Sequence, residues 1–507
     1  MRVTSMIQIG YRCATVVAKW SRSPMRTFHK VTFKPPKAQR SPTDLLWWSP
    51  NTQAILLLLT SLETNSLHLA TCYQLPYLVA KLIKKNTIFA TYLYKQQAKL
   101  DKKTYISLLI SCVIKKKVLT FFALEQTLTP KLNPNKRQVI FIDELPCLDV
   151  HRTNFVTSLG HFWNSWVSKH DNLMLVVCGS ATSWMVDNIV NNHGGLHNRI
   201  THSMHLHPFN LAQCEQYFQA RGMAWDRQAI MQAYMVFGGV PYYMSLIQPS
   251  ESVTEAIDRL LFSAQGELRE EYHRLFSSLF TNPEPYMMIV RALANHRYGL
   301  TRDELAEYLG KSDGGGLTKL LDNLVKCDFI HYHRVRTKKI NKTGGYYVLS
   351  DSFVQFYHTY LDAKTNDEHY WSHNLLSPKT NTFYGLAFER VCMAHIPQIK
   401  KAIGIDQIGT EYYSWRSTDK EQKAQIDLLI ERADRIINLC EIKYSYLPYT
   451  INKEEDLKFR TRQAVFVNQT GIKLGIQPTY ISPYGLTKNA YSSSIPKVIT
   501  MDDLFAH

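Results

Sequence analysis

Glycine and acid are nearly missing from the first quarter of this 507-residue chain. Gly10 is the only glycine before Gly160, although an α/β segment of that length needs several for turns and helix ends. Residues 1–138 carry 22 Lys and Arg against Asp44, Glu63, Asp101 and Glu125 alone, a net charge of +18. The whole chain carries +17, so the remainder nets −1. The basic balance therefore belongs to the first quarter, and the rest exerts no global pull on phosphate backbones. None of the nine cysteines forms a C-x-x-C pair, which argues against a zinc ribbon or a disulfide framework and fits a reducing, cytoplasmic setting. Nor does any apolar run approach the roughly 20 residues of a membrane-spanning helix, so no membrane partner is expected.

Residues 1–43 hold nine Lys and Arg and no acid, a composition compatible with a mitochondrial transit peptide. They lack a sustained amphipathic period, however, and the bias continues far past any plausible cleavage site. Low acid, low glycine and runs such as KLIKK and VIKKK match an out-of-frame reading. Residues 1–118 are accordingly expected to form an anomalous, poorly ordered basic segment.

What is present begins near Phe121, and the length together with 45% hydrophobic residues predicts two to four domains. Val139-Ile-Phe-Ile-Asp143-Glu144 is an apolar run ending in two acids, the pattern of a buried parallel strand. A helix over about 152–169 and a second apolar strand, Leu173 to Cys178, complete a strand, helix, strand unit, with ligands expected at the carboxyl ends of the strands. Helices are predicted over 209–280, interrupted at Gly238-Gly239-Val240-Pro241. After Pro285 come a helix, a capping box from Thr301 to Glu304 opening a second helix, and Gly314-Gly-Gly316 leading into a third. Two strands, Phe329 to Val335 and Tyr346 to Leu349, flank the basic loop 336–342, and together these elements predict a winged helix. Beyond a helical linker over 351–380, the last domain mixes a helix, Tyr384 to His395, with strands over 425–431 and 435–442.

Two constellations carry chemistry. In the form of a Walker B motif, the first strand aims Asp143 at Mg²⁺ on nucleotide phosphates, Glu144 orients the attacking water, and Ser180 reaches the γ-phosphate from the next strand. A merely solvated strand end is the plain alternative. Near the C-terminus, Asp427 sits in one apolar strand, and Glu441 and Lys443 share a face of the next, because side chains alternate along a strand. Asp427 and Glu441 could hold one divalent metal while Lys443 steadies the attacking water, the logic of phosphodiester cleavage. An edge strand with a salt-bridged E-x-K is the plain alternative here. His202, His205 and His207 lack Cys or acidic partners in their spacing and read as a strand facing solvent.

The runs VIFIDELPCLD, HFWNSW, LVVCGSATSWM, GGLHNRIT, LHPFNLAQCEQYF and GGVPYYMSLI, in this order, resemble a family of prokaryotic AAA+/STAND-type P-loop ATPases. Its members carry a winged helix and a C-terminal PD-(D/E)xK nuclease-like domain, and the likeness extends over about 120–507. It implies an α/β fold with an incomplete P-loop NTPase sheet (119–208), a helical lid (209–280), a winged helix (281–350), a linker (351–380) and an α/β restriction-nuclease-like domain (381–507). It further implies ATP and Mg²⁺ as cofactors, with Asp143 on the metal, Glu144 catalytic, Ser180 as sensor and Arg199 near the γ-phosphate. In the last domain it implies Glu389, Asp427 and Glu441 as metal ligands and Lys443 as a catalytic residue of a Mg²⁺-dependent endonuclease. DNA is the implied partner, read through Thr318, Lys319 and the wing lysines, unless the winged helix packs against protein instead; a homo-oligomer is also compatible.

The departure from the family is the phosphate-binding loop. Nothing before Asp143 matches G-x-x-x-x-G-K-[ST], whose backbone N–H groups, lysine and hydroxyl hold phosphates and Mg²⁺. The only Gly-Lys-Ser, Gly310-Lys311-Ser312, has Leu305 where the first glycine belongs and a helix in front of it. Three readings stay open: an ATP-binding switch coupled to a nuclease, a nucleotide-independent metal nuclease or DNA-binding protein, and an inactive product of a frame-shifted gene.

Overall fold

The computed structural model describes residues 14–20, 107–110, 121–136, 138–149, 154–180, 182–310, 315–334, 345–363, 365–417 and 424–506. Residues 11–207 and 208–507 form two compact units.

The first unit is built on a five-stranded sheet of β1 (Ala14–Trp20), β2 (Ser107–Ile110), β3 (Gln138–Ile142), β4 (Leu173–Gly179) and β5 (His202–Leu206), in the order β2-β3-β4-β1-β5. The strands β2, β3 and β4 run parallel, and β1 runs antiparallel to both β4 and β5. Every residue of β4 is buried, as expected of a strand flanked on both sides and covered on both faces. Helix α1 (Phe121–Leu128) contributes Leu124 and Leu128, and helix α2 (Phe155–Ser165) contributes Leu159, Phe162 and Trp163, to one apolar cluster with Ile140, Ile142, Leu175 and Val177. The spacing of the α2 residues is that of one helical stripe, and each such side chain adds about 1.5–3 kcal/mol on burial.

Two stretches of the basic first quarter, β1 and β2, thus join the sheet. The flanks of β3 and β4 carry backbone donors and acceptors that need partners, and these short stretches supply them. The rest of 1–118 lies outside the described residues.

The second unit opens with helices α3 (Leu211–Ala220), α4 (Arg227–Phe237) and α5 (Glu271–Leu279). Asn210 and Gln213 form a capping box that starts α3. The break after α4 is steric: Gly238 has φ +65°, and a Cβ on Gly239 would lie 1.8 Å from the carbonyl oxygen of Phe209. That approach is held by the Phe209 N–H donating to the Gly239 oxygen at 2.7 Å.

Helix α6 (Glu284–Asn295), β6 (Leu300–Thr301), α7 (Arg302–Tyr308), α8 (Gly315–Lys326), β7 (Ile330–His333) and β8 (Tyr346–Leu349) follow. Their small sheet has the antiparallel order β6-β8-β7, so a third strand joins the two predicted from the sequence. Thr301 takes the Glu304 N–H and Glu304 returns to the Thr301 N–H, as the capping box requires. The basic loop 336–342 lies outside the described residues.

Helix α9 (Ser352–Phe356) continues through a wider turn, Tyr357–Leu361, before α10 (Pro378–Ala394). A second five-stranded sheet then forms from β9 (Thr410–Arg416), β10 (Gln425–Arg432), β11 (Ile436–Ile442), β12 (Gly475–Ile481) and β13 (Lys497–Ile499), in the order β13-β12-β11-β10-β9. Helix α11 (Lys453–Thr470) packs Phe459 and Phe466 against Trp415, Leu439 and Tyr480. The start of α3 is pinned to the end of α10 by His395, fully buried, which accepts the Leu211 N–H through Nε2 at 2.9 Å. Its Nδ1 lies 2.7 Å from the Val391 oxygen, which fixes the neutral ring with the proton on Nδ1. Burial accordingly lowers His395 to about 4.

Candidate functional site

Because β3 and β4 are parallel and in register from Ile142 to Val177, their ends bring Asp143, Glu144 and Ser180 to one rim, all three buried. Glu144 takes the left-handed conformation, φ +51°, which non-glycine residues rarely adopt and which turns its side chain toward β4. Its Oε2 accepts from the Ser180 hydroxyl at 3.0 Å and from the Ser180 N–H at 3.3 Å. Asp143 Oδ1 accepts from the Glu144 N–H and from the Cys178 thiol, whose pKa is pushed up by burial and then by Asp143 itself. Arg199 stands apart: its side chain is exposed, and no hydrogen bond or ion pair among the described residues joins it to the other three.

A nucleoside triphosphate needs a cradle of backbone N–H groups after a strand that ends on this rim. The neighbour of β4, β1, runs antiparallel, so its last residue, Trp20, lies at the opposite rim. Strand β2 ends on the same rim as β3, but Ser111-Cys112-Val113-Ile114-Lys115-Lys116-Lys117 follows it without a glycine. Gly310, at φ +59°, ends helix α7 and follows no strand. Among the described residues, this rim carries the carboxylates of Asp143 and Glu144 and the hydroxyl and N–H of Ser180.

The C-terminal acids converge more completely. Strand β11 is the middle of its sheet, which removes the edge-strand alternative, and Glu441 on it is buried, at 4% exposure. Lys443 Nζ lies 3.0 Å from Glu441 Oε1, as the E-x-K spacing predicts, and Arg462 of α11 donates to the same oxygen at 2.8 Å. On β10 the pairing with β9 slips between Ile426 and Leu429, so that two residues, Asp427 and Leu428, oppose Ser414 alone. This bulge breaks the strict alternation of the strand and re-aims Asp427. Gln425 Nε2 donates to Asp427 Oδ1 at 3.3 Å. Glu389, on α10, accepts from Arg297 at 2.8 Å.

Glu389 and Asp427 line one cavity of about 330 Å³ with Arg297, Arg390, Gln425 and His333. Burial, and then the Asp427 charge, raise Glu389 to about 7 despite Arg297 and Arg390. Burial, and then Glu441, likewise raise Asp427 above the usual carboxylate range. Asp427 is therefore within electrostatic reach of both Glu389 and Glu441, and the nearby cations do not bring Glu389 or Asp427 back to the usual carboxylate range. Carboxylate oxygens are the donors that a hard divalent cation such as Mg²⁺ or Mn²⁺ takes.

Sequence reasoning missed the arginines around these acids. Arg297, Arg390 and Arg462 lie 92, 1 and 21 positions from the acids they influence, on separate helices and loops, and only adjacency of Arg390 to Glu389 gave a local signal. The remaining candidates are peripheral. His202, His205 and His207 are exposed along and just after β5. Thr318 and Lys319 are exposed on α8, with Thr318 accepting from Arg302 at 3.2 Å. Cys178, Cys214, Cys327, Cys392 and Cys440 are buried thiols. No helix of the described residues is long and apolar enough to cross a membrane.

The fold and site define a mixed α/β protein with a partly parallel first sheet and an acid-lined cavity in its C-terminal half. No family model matches the chain. An uncharacterized protein of Methanocaldococcus jannaschii, MJECL04, is 24% identical over 270 residues, which are 52% of this chain and 59% of that protein. The chain thus spans less than two thirds of this relative's length. Among solved structures, the Walker-type ATPase PABY2304 of Pyrococcus abyssi is similar with a TM-score of 0.34 and 18% identity, over 56% of this chain and 78% of the other.

Proposed function

We propose that this chain is an ATPase-like switch protein whose nucleotide core has lost its phosphate loop, and that its chemistry resides in the C-terminal acids, a Mg²⁺- or Mn²⁺-dependent phosphodiester-cleaving centre acting on DNA. The observation that carries this reading is that Glu389 and the bulge residue Asp427 line one cavity, with Glu441, paired to Lys443, within electrostatic reach of Asp427. Residues 281–350 then serve as a winged helix that presents DNA, and 381–507 as a restriction-nuclease-like domain.

Asp427 and Glu441 would hold the cation, with Glu389 as a third acid. Such an ion, when bound, supplies Lewis-acid stabilisation of a phosphoryl oxygen and lowers the pKa of water. Lys443, carried just past the end of β11, is positioned by Glu441 to hold the attacking water or to stabilise the charge that develops on phosphate. Arg462 orients Glu441 through its hydrogen bond, and Gln425 orients Asp427. Purified full-length protein should nick DNA with Mg²⁺ or Mn²⁺ in the absence of ATP, and Asp427→Asn should lower the rate by about a hundredfold or more. Equal nicking by the variant would remove the assignment.

A second reading, an ATP-driven switch, draws on Asp143, Glu144 and Ser180 sharing one rim. ATP turnover by the purified chain, lost in Asp143→Asn, would favour it.

A further inference from the structure

Beside the acid-lined cavity lies a second chamber of about 370 Å³. The two share Gln355, Thr359, Leu386 and Arg390 in their walls, so Arg390 faces both. The second chamber differs in charge: Lys379 and Arg390 line it, and no acid does. Volumes of this size lie at the small end of ligand pockets and admit a small group or a strand end, not a duplex.

Arg390 itself is unusual. Its Nε and Nη2 are buried and have no hydrogen-bond partner among the described residues, although the residue as a whole keeps partial exposure. A guanidinium is always a donor and is seldom left unpaired in an interior, because desolvation without a partner is costly. Burial lowers Arg390 to about 10, with Glu389 alone acting the other way. The neighbours are no remedy. Gln355 Nε2 is a donor already turned to Ala294 and Thr359, and the Thr359 hydroxyl donates to the Gln355 oxygen. Arg390 lines a chamber that contains a second cation, Lys379, and no carboxylate, a wall whose charge is complementary to a phosphate. Lys379, exposed and 4.5 Å from the centre of the Tyr360 ring, stands at that chamber as a second charge.

We propose that Arg390, with Lys379, seats a terminal phosphate monoester of a nucleic-acid strand in this second chamber. Held there, the strand offers its next phosphodiester to the adjoining acid-lined cavity, which makes cleavage depend on a phosphorylated end. The phosphate seat stands on the chamber alone, whereas the assignment of its occupant to a strand being cleaved rests on the proposed nuclease reading.

The test uses the full-length protein in EDTA, so that no metal or cleavage enters. Short single strands phosphorylated at the 5′ or the 3′ end, and their hydroxyl counterparts, are compared by fluorescence anisotropy. One phosphorylated strand should bind at least tenfold tighter than its counterpart. Arg390→Met should abolish that preference, and Arg390→Lys should retain part of it. If Arg390→Met does not fold, the surface variant Lys379→Ala should still reduce the preference several-fold. Equal affinity for phosphorylated and hydroxyl strands, or a preference that survives Arg390→Met and Lys379→Ala, overturns the seat. AMP or inorganic phosphate competing as strongly as the phosphorylated strand overturns the strand end in favour of a free phosphate ligand. Asp427→Asn should keep the preference; a preference present in wild type without any metal-dependent cleavage leaves the seat and removes the nuclease reading.

Discussion

Replacing Glu389 by Gln removes one buried charge and keeps both the shape and an acceptor for Arg297. In the native protein, burial and then Asp427 raise this carboxyl from 4.5 to about 7. Between those values the native state holds a proton that the unfolded chain has released, so the protein loses stability as pH rises through that window, and the loss is complete above it. At about 1.36 kcal/mol for each tenfold change in proton affinity, the ceiling on this loss is roughly 3 kcal/mol, and sharing of the proton with Asp427 reduces it. The substituted amide does not titrate. Glu389→Gln should therefore gain on wild type by about 2–3 kcal/mol between about pH 5 and about pH 8 in EDTA, read from urea-denaturation midpoints followed by tryptophan fluorescence. Adding Mn²⁺ should then favour wild type over the variant. The same stability difference at both pH values would refute the argument that Glu389 is a repelled, partly protonated acid.

Other perturbations test the fold around the site. Gly239→Ala should destabilise the second unit by about 3 kcal/mol or more, seen as a large drop in melting temperature or loss of soluble protein, because the Phe209 carbonyl leaves no room for a Cβ. His395, lowered to about 4 by burial, contributes stability that is present above the ordinary histidine value of 6.5 and lost as pH falls toward about 4. Wild type should consequently lose up to roughly 3 kcal/mol relative to His395→Gln over that acidic window, checked by denaturation at each end of it. Cys178, Cys214 and Cys392 are buried with thiols raised, so iodoacetamide should leave them unmodified in the native protein and label them in urea, as peptide mass mapping reads.

Much of the site could be read from local pattern because its acids sit on apolar strands. Alternation alone put Glu441 and Lys443 on one side, and their 3.0 Å ion pair has the expected geometry. The parallel pair β3 and β4 was legible from two apolar runs, which brought Asp143, Glu144 and Ser180 together. The bulge at Asp427 was not legible, since it depends on the register with β9, a strand whose polar sequence Thr410–Arg416 gives little periodic signal. Strand β12 was hidden by Gly475 and Pro478, which ordinarily argue against an interior strand. Pro478 is tolerated because β13 pairs only with Thr479 to Ile481, so β12 is flanked on one side alone at that position. The arginines around the acids come from distant segments, and no single-chain periodicity could have gathered them.

The central claim is that Asp427 and Glu441 hold a divalent metal. Crystals of the full-length protein soaked in Mn²⁺ and measured for anomalous scattering test it most directly. A single peak within roughly 2.0–2.4 Å of a carboxylate oxygen of each residue is the expected result, and it should vanish in Asp427→Asn. No peak there, or one beside Asp143 and Glu144 instead, would contradict the claim and return the chemistry to the other rim.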